Sequence, residues 1–199
     1  MLDLGAGTGK LTRVLVGRYA RVVAVEPLDE LREILAARVP QAEVLNGVAE
    51  RIPLEDGEVD AVFAGQAFHW FANDEALHEI VRVLRPGGVL ALLWNHPLDP
   101  TPLPADYSAR ISQLYDERRP TLPEDDMLQR SGLFGEVTET FVDHERVSDR
   151  EEVLGLAASV SWIASRDDRD QVLAELAAML PEGDYRFRLR ADVTWTTRL

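Results

Sequence analysis

Three glycines, Gly5, Gly7 and Gly9, follow the short apolar run from Met1 to Leu4, and a carboxylate, Glu26, closes the next apolar run. A run that ends in a glycine-rich turn and reopens as a helix gathers unpaired backbone N–H groups and the positive end of a helix dipole. Glycine there admits left-handed dihedral angles and lets a ligand approach the backbone. An acid at the end of the second run is placed to accept hydrogen bonds from ribose hydroxyls. These residues describe a nucleotide-type cofactor site. A dinucleotide fingerprint reads G-x-G-x-x-G, whereas the spacing here is Gly5-x-Gly7-x-Gly9 and Lys10 fills the place of the third glycine. That departure counts against a nicotinamide or flavin cofactor. The plain alternative, a tight turn with no ligand, loses ground to Glu26.

A second group is aromatic and basic. His69 lies within Phe68-His69-Trp70-Phe71, and His96 follows Trp94. An imidazole serves as general base or hydrogen-bond donor near neutral pH; the competing reading is a structural histidine packed beside Phe68, Trp70 and Trp94. The aromatic side chains either line an acceptor pocket or belong to the core. His78 and His144 read as surface residues. The chain has no cysteine, which excludes disulfides, thiolate metal sites and a cysteine nucleophile. No group of His, Asp and Glu shows ligand spacing, so no metal site is expected.

Short apolar runs that alternate with helical periodicity must position these residues, a pattern that predicts βαβ units and a parallel sheet. Strands are predicted at 1–4, 21–25, 42–45, 59–64 and 88–94. Helices are predicted at about 10–19, with Leu11, Val14 and Leu15 facing inward, after Glu26 with Leu28, Leu31, Ile34 and Leu35 inward, and at 74–84, capped by Asn73 or Asp74. Pro86-Gly87-Gly88 is expected to stop that last helix before the fifth strand begins. Beyond residue 97 the texture changes to a proline-rich stretch with helices near 107–117 and 126–131. Two strands follow, at 136–147 and 185–198, around helical segments at 150–165 and 168–180. The reading is an α/β, Rossmann-like, doubly wound sheet of seven strands, mostly parallel with an antiparallel C-terminal edge, plus a helical lid insertion at about 149–182. One domain covers 1–199, with a cofactor-binding half (1–96) and a substrate-side half (97–199).

Composition bounds the partners. The 199 residues carry 21 basic and 35 acidic side chains, a net charge of −14. Such a surface repels phosphate backbones and anionic headgroups, so neither nucleic acid nor membrane is an expected partner. Lys10 is the only lysine. With no signal peptide and no membrane-length apolar run, the expected location is the cytoplasm, as a monomer or homodimer.

Leu2-Asp3-Leu4-Gly5-Ala6-Gly7-Thr8-Gly9 resembles motif I of the class I S-adenosylmethionine-dependent methyltransferases, type 11 family. Ala24-Val25-Glu26-Pro27 resembles their second motif. Asn46-Gly47-Val48-Ala49-Glu50-Arg51-Ile52-Pro53-Leu54 is similar to the loop after strand three, Val59 to Phe71 to the fourth-strand motif, and Glu79 to Gly88 to the turn after the next helix. These motifs stand in the family's order over about half of the chain. The resemblance implies S-adenosylmethionine as cofactor and a small molecule as methyl acceptor. It implies that Asp3 orients the glycine loop or reaches the methionine amino group, that Gly5, Gly7 and Gly9 face the methionyl and ribose parts, and that Glu26 holds the ribose. Pro27 would pack on the adenine face, Ala49 would offer its N–H to the ring, and Gln66 would lie near the methionyl end. Where many relatives have an aspartate, this chain has Val48, which leaves Glu50 or a backbone carbonyl to accept from the adenine amino group. The helical insertion resembles that of the trans-aconitate-methyltransferase-like branch, which implies an acceptor pocket using Ser159, Ser161 and Trp162 with Phe68 and Trp70. His69 is the candidate catalytic group. The family also carries a helical segment before strand one, and the sequence starts within that strand; this reads as a truncated form with an open or impaired cofactor site. The expected function is methyl transfer to a small molecule, oxygen favoured. The alternatives are a non-catalytic binding or interaction domain and a nicotinamide-dependent oxidoreductase.

Overall fold

The computed structural model describes residues 1–98, 102–116 and 124–199. The order is β1 (Leu2–Leu4), α1 (Lys10–Val16), β2 (Val23–Val25), α2 (Asp29–Arg38), β3 (Glu43–Leu45), β4 (Val59–Gly65), a 3₁₀ turn (Phe68–Trp70), α3 (Asp74–Val83) and β5 (Leu84–Pro97). Then come α4 (Ala105–Asp116), α5 (Glu124–Ser131), β6 (Thr138–Asp149), α6 (Arg150–Ser159), α7 (Ser161–Ala164), α8 (Arg169–Met179) and β7 (Asp184–Thr197). The seven strands form one sheet in the order β3-β2-β1-β4-β5-β7-β6. The first five pair in parallel. β7 runs against β5, since backbone bonds join Gly88 to Arg198 and Leu98 to Arg188. The expected α/β fold with a late antiparallel strand is present.

For β1 and β2 three residues suffice because they are buried on both faces. Every residue of β1 and β2 is buried; apart from Asp3 these are aliphatic side chains, as in a covered parallel sheet. α3 begins where the Asn73 side chain accepts the Ala76 N–H at 2.9 Å, and it buries Ala76, Leu77, Ile80 and Val83 at helical spacing.

Several boundaries depart from expectation for identifiable reasons. On α1 the inward residues are Thr12 and Leu15, while Val14 is half exposed; Thr12 is buried because Asp3 accepts its hydroxyl proton. β5 begins at Leu84, before the Pro-Gly-Gly turn, because Leu84 is already extended and pairs with Val59. A register irregularity between Val59 and Ala61 absorbs the intervening residues. The helix expected over 150–165 is broken at Val160, whose backbone is extended (φ −78°, ψ 133°).

The chain forms two compact units. The first contains Met1–Trp94, Thr121–Phe141 and Asp192–Leu199; the second contains Asn95–Pro120 and Val142–Ala191. Residues 124–141 and 192–199 join the first unit because Leu128 and Phe134 enter its core and Arg198 pairs with Gly88. The second unit has its own core, built on Tyr107, Leu114, Ile163, Val172 and Leu176. Among the described residues no helix is long and apolar enough to cross a membrane. Nor, among them, does any group of three or more His, Asp or Glu side chains form a metal cluster.

Candidate cofactor site

The glycine loop leaves β1 at the carboxyl end of the sheet, where ligands bind in open α/β folds. Gly5 and Ala6 both donate their N–H to the Val25 carbonyl, at 2.9 and 3.1 Å, which bends the chain sharply over the end of β2. Gly5, Gly7 and Gly9 all have positive φ, at 70°, 57° and 83°. Their surroundings separate their roles. A Cβ on Gly5 would stand 2.8 Å from the Ala67 Cβ, and one on Gly9 2.5 Å from the Leu35 Cδ1. Those two positions are dictated by packing. A Cβ on Gly7 would meet nothing within 4 Å. Gly7 therefore presents open backbone, the feature a bound cofactor needs for close approach.

Glu26 lies directly beneath. Its Oε2 accepts the Gly7 N–H at 2.8 Å and its Oε1 the Leu28 N–H at 3.0 Å, so one carboxylate ties the loop to the start of α2. Arg32 donates to the carbonyls of Glu26 and Pro27 and pairs with Asp29. Burial pushes the Glu26 carboxyl up from its ordinary value, opposed by the two N–H groups and Arg32. Each carboxylate oxygen keeps a further lone pair for a hydroxyl donor. Pro27 is exposed beside it. A ribose-bearing cofactor fits this arrangement: an acid with spare acceptor capacity under an unobstructed glycine.

Asp3 is buried, and its Oδ2 accepts the Thr12 hydroxyl at 2.6 Å. Burial lifts its carboxyl to about 7, against the pull of Thr12 and with a smaller push from Glu26. A carboxyl whose folded pKa exceeds its unfolded value binds its proton more tightly when folded. Its contribution to stability is therefore complete below about pH 4 and is lost as pH rises through about 7. Asp3→Asn is expected to remove that dependence. The melting temperature of the native chain, taken relative to Asp3→Asn, should fall between pH 4 and 7; a constant difference would contradict the assignment.

The third segment of the site follows β3. Ala49 is buried, Val48 is exposed, and the Glu50 Oε1 accepts from the Asn73 Nδ2 at 2.7 Å. Gln66, beyond β4, has φ 57°, a left-handed conformation uncommon for a side chain of this kind, and donates its N–H to the Leu93 carbonyl. The strained position directly follows the sheet's carboxyl end.

The aromatic segment divides. Phe68, expected in the acceptor pocket, is fully buried and meets Phe71 edge-on with ring centroids 5.5 Å apart; it is a core side chain, carried inward by the 3₁₀ turn. Trp70 is 41% exposed. His69 lies between Trp70 and Trp94, at centroid distances of 4.8 and 5.3 Å. Burial there lowers its pKa and favours the neutral imidazole. His96 is exposed in the second unit.

The loop, Glu26, Pro27, Ala49, Glu50, Gln66, His69 and Trp70 thus share the first unit. Ser159 and Trp162 belong to the second. There the Ser159 hydroxyl donates to the Leu156 carbonyl at 2.8 Å, and Trp162 meets Tyr115 with centroids 5.9 Å apart. The Ser161 side chain lies outside the described residues. Sequence reasoning missed Thr12 and Arg82. A lone hydroxyl on the inner face of α1 was the available signal for the first; for the second, the Glu79 pair three residues earlier is local, but nothing local marks the partners 26 to 30 residues away.

Comparisons with known proteins bear on the family and the fold. Residues 2–92 match the family model described as a methyltransferase domain. An uncharacterized methyltransferase of Mycobacterium tuberculosis is 56% identical over 95 residues, 48% of this chain and 39% of that protein. A methyltransferase-like protein of Schizosaccharomyces pombe is 35% identical over 184 residues, 88% of this chain and 70% of that protein. A malonyl-acyl-carrier-protein O-methyltransferase of Methylococcus capsulatus is 41% identical over 97 residues, 46% of this chain and 35% of that protein. The chain thus spans well under half of the mycobacterial relative's length. Among solved structures, the YcgJ protein of Bacillus subtilis superposes with a TM-score of 0.61 at 16% identity, over 99% of this chain and 90% of that one.

Proposed function

Since this chain belongs to the class I S-adenosylmethionine-dependent methyltransferases of the type 11 family, we propose that it holds S-adenosylmethionine over the Gly5–Gly9 loop and transfers the methyl group to an oxygen of a small-molecule acceptor. The observation that carries the cofactor site is Gly7, left-handed and unobstructed, over a carboxylate with acceptor capacity to spare.

The cofactor supplies a methyl carbon already activated by its sulfonium. What remains for the protein is to hold, align and exclude water. Glu26 accepts the ribose hydroxyls, and Asp3, fixed by Thr12, supports the loop toward the methionyl end with Gln66. Ala49 offers its N–H to the adenine edge, Pro27 covers the ring face, and Glu50 accepts from the amino group. A carboxylate acceptor is nucleophilic as it stands and needs no base. A hydroxyl acceptor must lose its proton, and a neutral His69 is in the correct state to take it. Trp70, with its exposed indole, contributes to the acceptor side. The oxygen preference draws support from the Methylococcus relative's name.

The test is transfer of a labelled methyl group to parallel sets of carboxylic acids, alcohols and amines. Label recovered as base-labile ester or stable ether supports the proposal; label on amines alone would contradict it. Trp162 is read as an acceptor-side residue. Trp162→Ala is accordingly expected to raise the acceptor KM by about tenfold and leave cofactor affinity unchanged. A change in cofactor affinity alone would contradict that reading.

A further inference from the structure

We propose that Arg82 is a positioning residue for the nucleotide side of the cofactor site: from α3 it fixes the segment that runs past Glu26. The proposal rests on the cofactor reading above. Between β3 and β4 the chain has no helix or strand beyond an isolated bridge between Val48 and Arg51. It nevertheless passes close to the end of β2. The Glu26 N–H donates to the Leu45 carbonyl, and a Cβ on Gly47 would lie 3.2 Å from the Val25 Cγ1.

α3 supplies the order that the segment lacks. The Arg82 Nη1 donates to the Leu54 carbonyl at 2.7 Å and to the Asp56 carboxylate at 3.0 Å; Nη2 donates to the Ile52 carbonyl at 2.9 Å. Nε and Nη2 also grip Glu79 in a fork, at 2.6 and 2.8 Å. Glu79 in turn accepts the Ile52 N–H at 2.9 Å, and the Arg82 carbonyl accepts the Gly57 N–H at 2.8 Å. At the start of α3, Asn73 uses its oxygen to cap the helix, which directs its amide nitrogen at Glu50. Only a planar guanidinium can serve two carbonyls and a bidentate carboxylate at once. Freed from Arg82, the stretch from Ile52 to Gly57 has no regular structure of its own to hold the segment that leaves the end of β2.

The experiment measures S-adenosylhomocysteine affinity by calorimetry and amide exchange over residues 50–57, for the native chain, Arg82→Ala and Arg85→Ala. Arg85 is a surface arginine paired with Asp60 and controls for the lost charge. Arg82→Ala is expected to bind about tenfold more weakly, with faster exchange and with kcat at saturating cofactor within about twofold of native. Arg85→Ala should match the native chain. Faster exchange with unchanged affinity would overturn the proposal and reduce Arg82 to a loop anchor. A folded native chain that binds no S-adenosylhomocysteine would overturn the underlying cofactor reading instead. If Arg82→Ala does not fold, Glu79→Gln breaks the ion pair at constant size; unchanged affinity there would equally overturn the proposal.

Discussion

Gly7→Ala is expected to fold and to bind S-adenosylhomocysteine about 100-fold more weakly than the native chain. The added methyl group meets no protein atom within 4 Å, so the cost to the fold is confined to the left-handed backbone, roughly 1–2 kcal/mol. In the proposed site the same methyl group occupies the space through which the cofactor reaches the loop. Gly9→Ala reverses the pattern. Its Cβ would lie 2.5 Å from Leu35 Cδ1 and 3.1 Å from Val39 Cγ2, at a φ of 83°. Backbone strain and overpacking together are expected to cost about 3 kcal/mol of stability. Denaturant titration separates the two variants from each other, and calorimetry separates fold from site. Equal affinity in Gly7→Ala and native protein would remove the loop from the cofactor site.

Glu26→Ala should have the larger effect on binding. It removes the proposed ribose acceptor and leaves the N–H groups of Gly7 and Leu28 without their carboxylate partner. Charge-assisted hydrogen bonds to two hydroxyls justify a loss of about 100- to 1000-fold in affinity. Two backbone donors left unpaired predict a stability loss of about 2 kcal/mol or more. Glu26→Gln keeps the shape but turns an NH₂ group toward one of those N–H donors; it is expected to fall between. Because burial raises the Glu26 carboxyl above its ordinary value, affinity should also weaken on acidification as the carboxylate gains its proton. The measurement is calorimetry at pH 5 and pH 8. A loss in Glu26→Ala confined to stability would mean that the carboxylate serves only the loop.

Much of the first unit was legible in the sequence because its determinants are local. A strand, a glycine-rich turn and an acid two elements later follow from runs of adjacent residues. The register of β1 against β2, Leu4 opposite Val25, then brings the loop and Glu26 together. What escaped depends on contacts between distant residues. Phe68 reads the same from the sequence whether it faces the core or a pocket, and only the 3₁₀ turn decides. Thr12 looks like a misplaced polar residue until Asp3 accepts its proton. Val160 separates α6 from α7 with no glycine or proline beside it to mark the break. Arg82, within a run that reads as an ordinary helix end, spans to Ile52, Leu54 and Asp56. Patterns of adjacent residues do not encode such long-range polar bonds.

The central claim, that the glycine loop and Glu26 form an S-adenosylmethionine site, is tested most directly by one calorimetric series on the native chain with S-adenosylmethionine, S-adenosylhomocysteine and NAD. One equivalent each of the first two should bind, and NAD should not. Binding of NAD alone, or of no ligand by a folded chain, would contradict it.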